Sequence, residues 1–287
     1  MPTDVVRHNG QRLVLTRLAA QVQPASANHV VDHVGRLQVR PGQGGVVPDV
    51  GLGDLADAWT SDHLEPGASL GHPDAAANDA IQLLACVGNL ATVLDGPAAG
   101  VSGVVIGKHG AVIVALPRDA AARLGPGEWL AIDARGVGLA IDGEPAIACH
   151  SCSPELLQAL VAGRASDGRL RIPVSVEFPA EAAGAGIGMP VSRFNIDLQV
   201  DQPPIAGLAA RVRFGDIVAL RDHDHRWGRQ LRRGWVAIGV IAHGHSVGGG
   251  HGLGMTTLLS GPLERIAIEP AQDADLVRLL ELRWSPR

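Results

Sequence analysis

Apolar positions along this chain recur mostly with the alternation of strands, and only locally with the 3.6-residue period of helices. Leu13–Leu18, His29–Val39, Val101–Ile106, Ala111–Leu116, Trp129–Ala134, Leu170–Val176 and Asn195–Val200 read as strands bounded by glycine, proline or polar turn residues. Asp216–Asp222 and Trp235–His243 read as two more. Helical spacing is confined to Ala76–Val87, Arg118–Leu124, Pro154–Ala162 and Asp273–Arg283. The third is the firmest: Ser153 caps it, Pro154 suits its first turn and Gly163 ends it. Strands and helices do not alternate regularly, which argues against a doubly wound parallel sheet. The expected fold is mostly β (β-rich α+β), a single compact barrel- or sandwich-like assembly with a few packed helices. Residues 1–38 stay poorly assigned, and 39–287 form the main body, with a candidate internal boundary at 150–170.

Composition narrows the classes of partner. The 287 residues carry a formal charge of −5 with 46% apolar and 18% charged positions, which is globular and too acidic for a nucleic-acid surface. No tyrosine and only three phenylalanines leave little for base stacking. No apolar run reaches the length of a membrane-spanning helix. Met1-Pro2-Thr3-Asp4 lacks the layout of a signal peptide, so a cytoplasmic location is the expectation. The expected partners are a small-molecule substrate and further copies of the chain in a homo-oligomer, with no nucleic acid and no membrane.

Candidate chemistry is concentrated in four places. Five of the twelve histidines fall between His223 and His251. Asp222-His223-Asp224-His225 is followed by His243, His245 and His251, and imidazole with carboxylate is a common ligand set for zinc, iron or manganese. Upstream, Asp62-His63-Leu64-Glu65 packs three ionisable groups beside a turn, with His63 and Glu65 on one face if the backbone is extended. Gly107-Lys108-His109-Gly110 separates two apolar strands and is expected at a hairpin tip. Arg226, Arg229, Arg232 and Arg233 form a basic knot, either a solvated or subunit-facing surface or a fork for an anionic substrate.

Three other patterns carry less. Cys149-His150-Ser151-Cys152 has the C-x-x-C spacing, but Cys86 is the sole remaining thiol, so a thiolate-rich metal site lacks ligands. Gly244-His245-Ser246-Val247-Gly248 matches G-x-S-x-G, yet a glycine run follows where a helix is required, and the order of acid and histidine fails. Gly248–Gly254 lacks the Lys-Ser/Thr of a phosphate loop and reads instead as a lid or close-approach loop.

Asp62-His63-Leu64-Glu65-Pro66-Gly67, Gly107-Lys108-His109-Gly110 and Asp222-His223-Asp224-His225, with Arg213-Phe214-Gly215-Asp216, Gly228-Arg229, His251-Gly252-Leu253-Gly254 and Thr256-Thr257, resemble the signatures of the domain-of-unknown-function family numbered 4438 over roughly Val39 to Pro262. The resemblance implies a stand-alone bacterial or archaeal protein of β-rich fold, without implying a reaction. It covers Asp62, His63, Glu65, Lys108, His109, Asp222, Asp224, His225, His243 and His251. The glycine-punctuated strands also have the texture of acetamidase/formamidase-type metal amidases.

The resulting expectation is a metal-assisted or His/Asp-dependent enzyme hydrolysing a small amide, lactam, imide or lactone. The cofactor is a divalent ion, zinc by preference, held by Asp222, Asp224, His225, His243 and His251. His109, Lys108, Glu65 and His63 are the catalytic candidates, and Asp62, Arg226 and Arg229 the substrate-binding ones. A lyase, cyclase or isomerase on the same groups is the first alternative, and a non-catalytic binding or assembly module the second.

Overall fold

The computed structural model describes residues 6–26, 29–246 and 250–283. Its first half is a barrel. Strands β1 (Thr16–Val22), β6 (Val46–Val47), β7 (Gly67–Gly71), β8 (Leu90–Val93), β9 (Ser102–Lys108), β10 (Val112–Ala115) and β11 (Trp129–Ala134) form one sheet in the order β1-β11-β8-β9-β10-β7-β6. Val22 of β1 also pairs with Leu70 of β7, which closes six strands into a ring and leaves β6 as an appended edge. Between β1 and β6 lie two small antiparallel pairs, β2 (Ala25–Ser26) with β5 (Gln43–Gly44) and β3 (His29–Val31) with β4 (Leu37–Val39).

Side-chain alternation explains why the barrel holds. In β1 one face is exposed, while Leu18, Ala20 and Val22 point into the barrel core with Leu70, Val93, Leu130 and Ile132. β9 and β10 differ: both faces are buried. Val105, Val112 and Val114 enter the barrel core, whereas Val104, Ile106 and Ile113 enter a second, larger core on the far side. That double burial is why these two segments read as continuous apolar runs.

The second half builds that larger core. β12 (Ala148–Cys149), β13 (Leu170–Val174), β14 (Val176–Phe178), β15 (Ile196–Leu198), β16 (Ile217–Asp224), β17 (Gln230–His243), β18 (Leu253–Pro262) and β19 (Ile266–Pro270) follow in sequence. Six of them make a sheet ordered β12-β18-β17-β16-β14 with β15 on the free edge of β18, and β13 pairs with β19 in parallel. The helices are short: α1 (Ala75–Leu84), α2 (Arg118–Ala121), α3 (Pro154–Leu160), α4 (Ile205–Ala209) and α5 (Leu276–Leu279). Ser153 caps α3 through a bond from the Leu156 N–H, and Asp275 caps α5. The mostly β expectation is therefore met. None of the helices among the described residues is long and apolar enough to cross a membrane.

Several boundaries move. β1 starts at Thr16 rather than Leu13, and the run Leu170–Val176 is two strands that belong to different sheets. His29–Val39 folds on itself at Asp32–Gly35, where the Asp32 carboxylate accepts from the N–H groups of Val34 and Arg36. β7, β8, β18 and β19 were not expected. β7 and β18 are buried at every position, so neither shows the apolar–polar alternation of a half-exposed strand.

The two halves meet where β9 packs on β17 and β18. A Cβ at Gly107 would lie 2.2 Å from Ala242 Cβ and 2.8 Å from Thr256 Oγ1, so this seam closes only because Gly107 has no side chain. Gly107→Ala is expected to lower stability by about 1–3 kcal/mol through overpacking. An unchanged denaturant midpoint would contradict that tightness.

Candidate functional site

Four histidines converge at the seam. His109 follows β9, His243 ends β17, His251 precedes β18, and His63 lies in the segment before β7. The rings of His63 and His109 stack at 4.9 Å between centroids; His63 is 4.7 Å from His251 and 5.3 Å from His243, and His109 is 4.2 Å from His243.

Carboxylates fix three of these rings through Nδ1. His63 Nδ1 is 2.7 Å from Asp62 Oδ1, His109 Nδ1 is 2.6 Å from Glu65 Oε1, and His251 Nδ1 is 2.6 Å from Asp197 Oδ2. Each bond leaves the ring's Nε2 uncommitted by that carboxylate, and His63 Nε2 is buried with no partner. His243 is held differently. Its Nδ1 faces the Gly244 carbonyl at 2.7 Å, while Nε2 lies 2.8 Å from Asn195 Nδ2 and 3.4 Å from Asp197 Oδ1.

Register explains how His243 reaches Asp197. The two face Gly254 from opposite sides, in the strand order β15-β18-β17. A Cβ at Gly254 would sit 2.0 Å from the His243 ring, so the ring lies in the space that a side chain would fill. The His63 segment is shaped by its neighbours. Asp62 N–H donates to Pro41, Glu65 N–H to Gly42, and Gly244 N–H to Leu64. These bonds hold His63 in the left-handed region at φ +48°, a strained conformation for a non-glycine residue. The chain there is not extended, so the expected alternation is corrected: Asp62 turns toward His63, and Glu65 reaches across to His109.

Burial and charge set the protonation states. Burial, reinforced by His243 and His109, pushes His63 down from 6.5 to about 4. Burial and His243 also lower His109, against the opposing pull of Glu65. Burial alone would raise Glu65 and Asp197, but hydrogen bonds and charge from His109, and from His243 and His251, outweigh it and hold both carboxyls low. Burial would lower His243, yet Asp197 raises it. Glu65 is further fixed by the Ser69 hydroxyl and by the Gly44 N–H at 2.9 Å.

His63, Glu65, His109, His243, His251 and Asp62 are thus brought together. Other candidates are not. Lys108 alternates with His109 along the strand, so its ammonium leaves the histidines and donates to the Ser192 carbonyl at 2.9 Å. Asp222 sits at a bulge with φ +56° and accepts from the Gly234 N–H at 2.7 Å. Asp224 is neutralised locally by Arg226 at 3.0 Å and Arg232 at 2.9 Å, whose guanidinium groups lie on the Trp235 ring at 3.9 and 4.2 Å. His225 bonds Thr257 Oγ1 at 2.8 Å. Placing Asp222, Asp224 and His225 beside His243 and His251 is corrected accordingly: proximity in sequence does not bring these residues to the seam. Arg229 is fully buried on the carbonyls of Gly186 and Phe194, while Arg233 is exposed. Arg226 lines a cavity with His225.

Asp197 and Asn195 escaped the sequence reading. The available signal was their two-residue spacing within an apolar strand, which puts both on one face. His245 pairs with Asp57, apart from the other histidines. Burial raises Cys149 to about 12 and Cys152 well above the usual thiol range, so both stay protonated. Of the expected lid loop, residues 248 and 249 lie outside the described residues.

Barrel, second sheet and a histidine–carboxylate cluster at their seam define the class of protein. The chain belongs to the domain-of-unknown-function family DUF4438: the family's N-terminal model matches residues 29–158 and its C-terminal model residues 160–280. It is similar to the protein TM1086, whose crystal structure superposes with a TM-score of 0.89 at 31% identity over 95% of this chain and 98% of that one. No curated protein matches it.

With its folded-state midpoint depressed, His63 contributes stability that is present above its unfolded value of 6.5 and is lost as pH falls toward about 4. In metal-free protein, NMR titration of the imidazoles is expected to place the His63 midpoint near 4, alongside that of His150, and His63→Gln should remove the first alone. A His63 midpoint near 6.5 would contradict the burial of this ring and its unpartnered Nε2.

Proposed function

We propose that the seam cluster is a divalent-metal site, zinc by preference, in an enzyme that hydrolyses a small amide, lactam, imide or lactone. The observation that carries this reading is the threefold pairing of a histidine Nδ1 with a carboxylate: His63 with Asp62, His109 with Glu65, His251 with Asp197. Metal-binding histidines almost always engage their other nitrogen in this way, which fixes ring and tautomer and makes the free nitrogen more basic. His63, Asp197 and His251 each offer a ligand atom within 4.8 Å of the others. The depressed His63 is neutral at pH 7, as a ligand must be.

His63, His251 and Asp197 would hold the ion. A bound zinc would lower the pKa of its water to about 7 and polarise a carbonyl. His109, lowered by burial and oriented by Glu65, is neutral and partly exposed, and would serve as the base that accepts a proton from water. Glu65 is saturated by His109, Ser69 and Gly44, so it orients the base and does not act as one. His243, buried on Asp197, holds that carboxylate in register.

Elemental mass spectrometry of purified protein is expected to find about one equivalent of divalent metal per chain. Asp197→Asn and His251→Ala should lose it with the fold intact by circular dichroism, and Asp62→Asn should weaken metal affinity about 10- to 100-fold. Metal retained in full by both Asp197→Asn and His251→Ala would contradict the assignment. Loaded protein with no turnover on a panel of amides, lactams, imides and lactones would reduce the reading to a binding module.

A further inference from the structure

A second polar centre lies on the other side of β9. A cavity of about 410 Å³ is lined by His150, Pro190, Val191, Ser192, His225, Arg226 and Trp227, with backbone from Gly188 and Gly228. That volume is in the range of small-molecule pockets. Two of its lining imidazoles have a buried nitrogen with no partner: Nε2 of His150 and Nε2 of His225. His225 is entirely buried, its Nδ1 is 2.8 Å from Thr257 Oγ1, and its N–H donates to Ser260 Oγ at 3.0 Å. With the threonine hydroxyl donating to Nδ1, the imidazole proton sits on Nε2, a donor with nothing to receive it. A buried imidazole nitrogen left without a partner is costly, so a site that keeps two of them is poised for a hydrogen-bonding ligand.

The surroundings select the sign of that acceptor. Lys108 and Arg229 are both fully buried cations held by backbone carbonyls, Lys108 by Ser192 and Arg229 by Gly186 and Phe194. Neither has a carboxylate within ion-pair distance among the described residues. Asp224 is shared between Arg226 and Arg232, which leaves that group positive as well. Burial and the Arg229 charge push His150 down to about 4, and His225 is driven down by burial, Arg229, His223 and His150. The positive field disfavours a metal ion there, and a neutral imidazole can still donate its one N–H to an anion. Trp227, 85% exposed, adds a flat apolar surface to the lining together with Pro190 and Val191.

We propose that this cavity binds a small carboxylate with a planar apolar body, its carboxylate accepting from His150 and His225 and its body lying against Trp227. The site is distinct from the seam cluster, because Lys108 and His109 point to opposite sides of β9. Its occupant's negative charge faces the field that Arg229 exerts on both imidazoles.

The test is calorimetric titration of the full chain with benzoate, benzamide and benzylamine, the last two being neutral and cationic counterparts of similar shape. Benzoate is expected to bind at millimolar or lower concentration, and the other two at least about tenfold more weakly, a difference of about 1.4 kcal/mol. His150→Ala and Trp227→Ala, one half-buried and one exposed, should each cost about tenfold in benzoate affinity while leaving metal content at the seam unchanged. His225→Asn should do the same where it folds. No benzoate binding, equal binding of benzamide or benzylamine, or benzoate affinity untouched by both His150→Ala and Trp227→Ala would overturn the proposal. So would zinc binding that His150→Ala abolishes.

Discussion

Two missing side chains set the geometry on which the rest depends. Gly107 lets β9 of the barrel press against Ala242 and Thr256 of the second sheet, and Gly254 leaves room for the His243 ring to lie across β18 toward Asp197. Without the first contact His109 would not stand beside His243; without the second, His243 and Asp197 would be separated by the width of a strand. Packing between two cores therefore fixes the positions of polar groups, because the apolar faces of β9 are locked on both sides and cannot slide.

The polar groups then stabilise one another in a place where each alone would be costly. Asp62, Glu65 and Asp197 are buried carboxylates, each with an imidazole partner, and the Asp62 pairing sits beside the strained backbone of His63. Strain at His63 is maintained by backbone bonds on either side, in which the carbonyls of Pro41, Gly42 and Leu64 accept from the N–H groups of Asp62, Glu65 and Gly244. Across β9 the balance has the opposite sign, with buried Lys108 and Arg229 facing carbonyls only. One strand thus separates a carboxylate–imidazole centre from a cationic one.

Much of the fold was legible because its strands obey simple alternation. Trp129–Ala134 was delimited to the residue, and Ser153-Pro154 announced α3 through its cap. β18 was hidden by its glycine-rich approach, and β7 by its small residues Gly67-Ala68-Ser69, which bury without looking apolar. In the site, the motifs at Asp62–Glu65, His109, His243 and His251 stood out through density of ionisable groups, and geometry joins them. The same criterion misdirected attention to Asp222–His225, where the charges are consumed locally by Arg226 and Arg232. Asp197 was invisible for the converse reason: one acid in a three-residue strand makes no cluster in sequence, and its partners come from β17 and the approach to β18.

The central proposal is that His63 and His251, oriented by their carboxylates, share one metal ion with Asp197. Anomalous diffraction from a crystal soaked in zinc tests it most directly. The account predicts a peak bounded by His63, His251 and Asp197, with nitrogen and oxygen ligands at about 2.0–2.2 Å. A map with no peak there, or with its strongest protein-bound peak between His150 and His225, would contradict it.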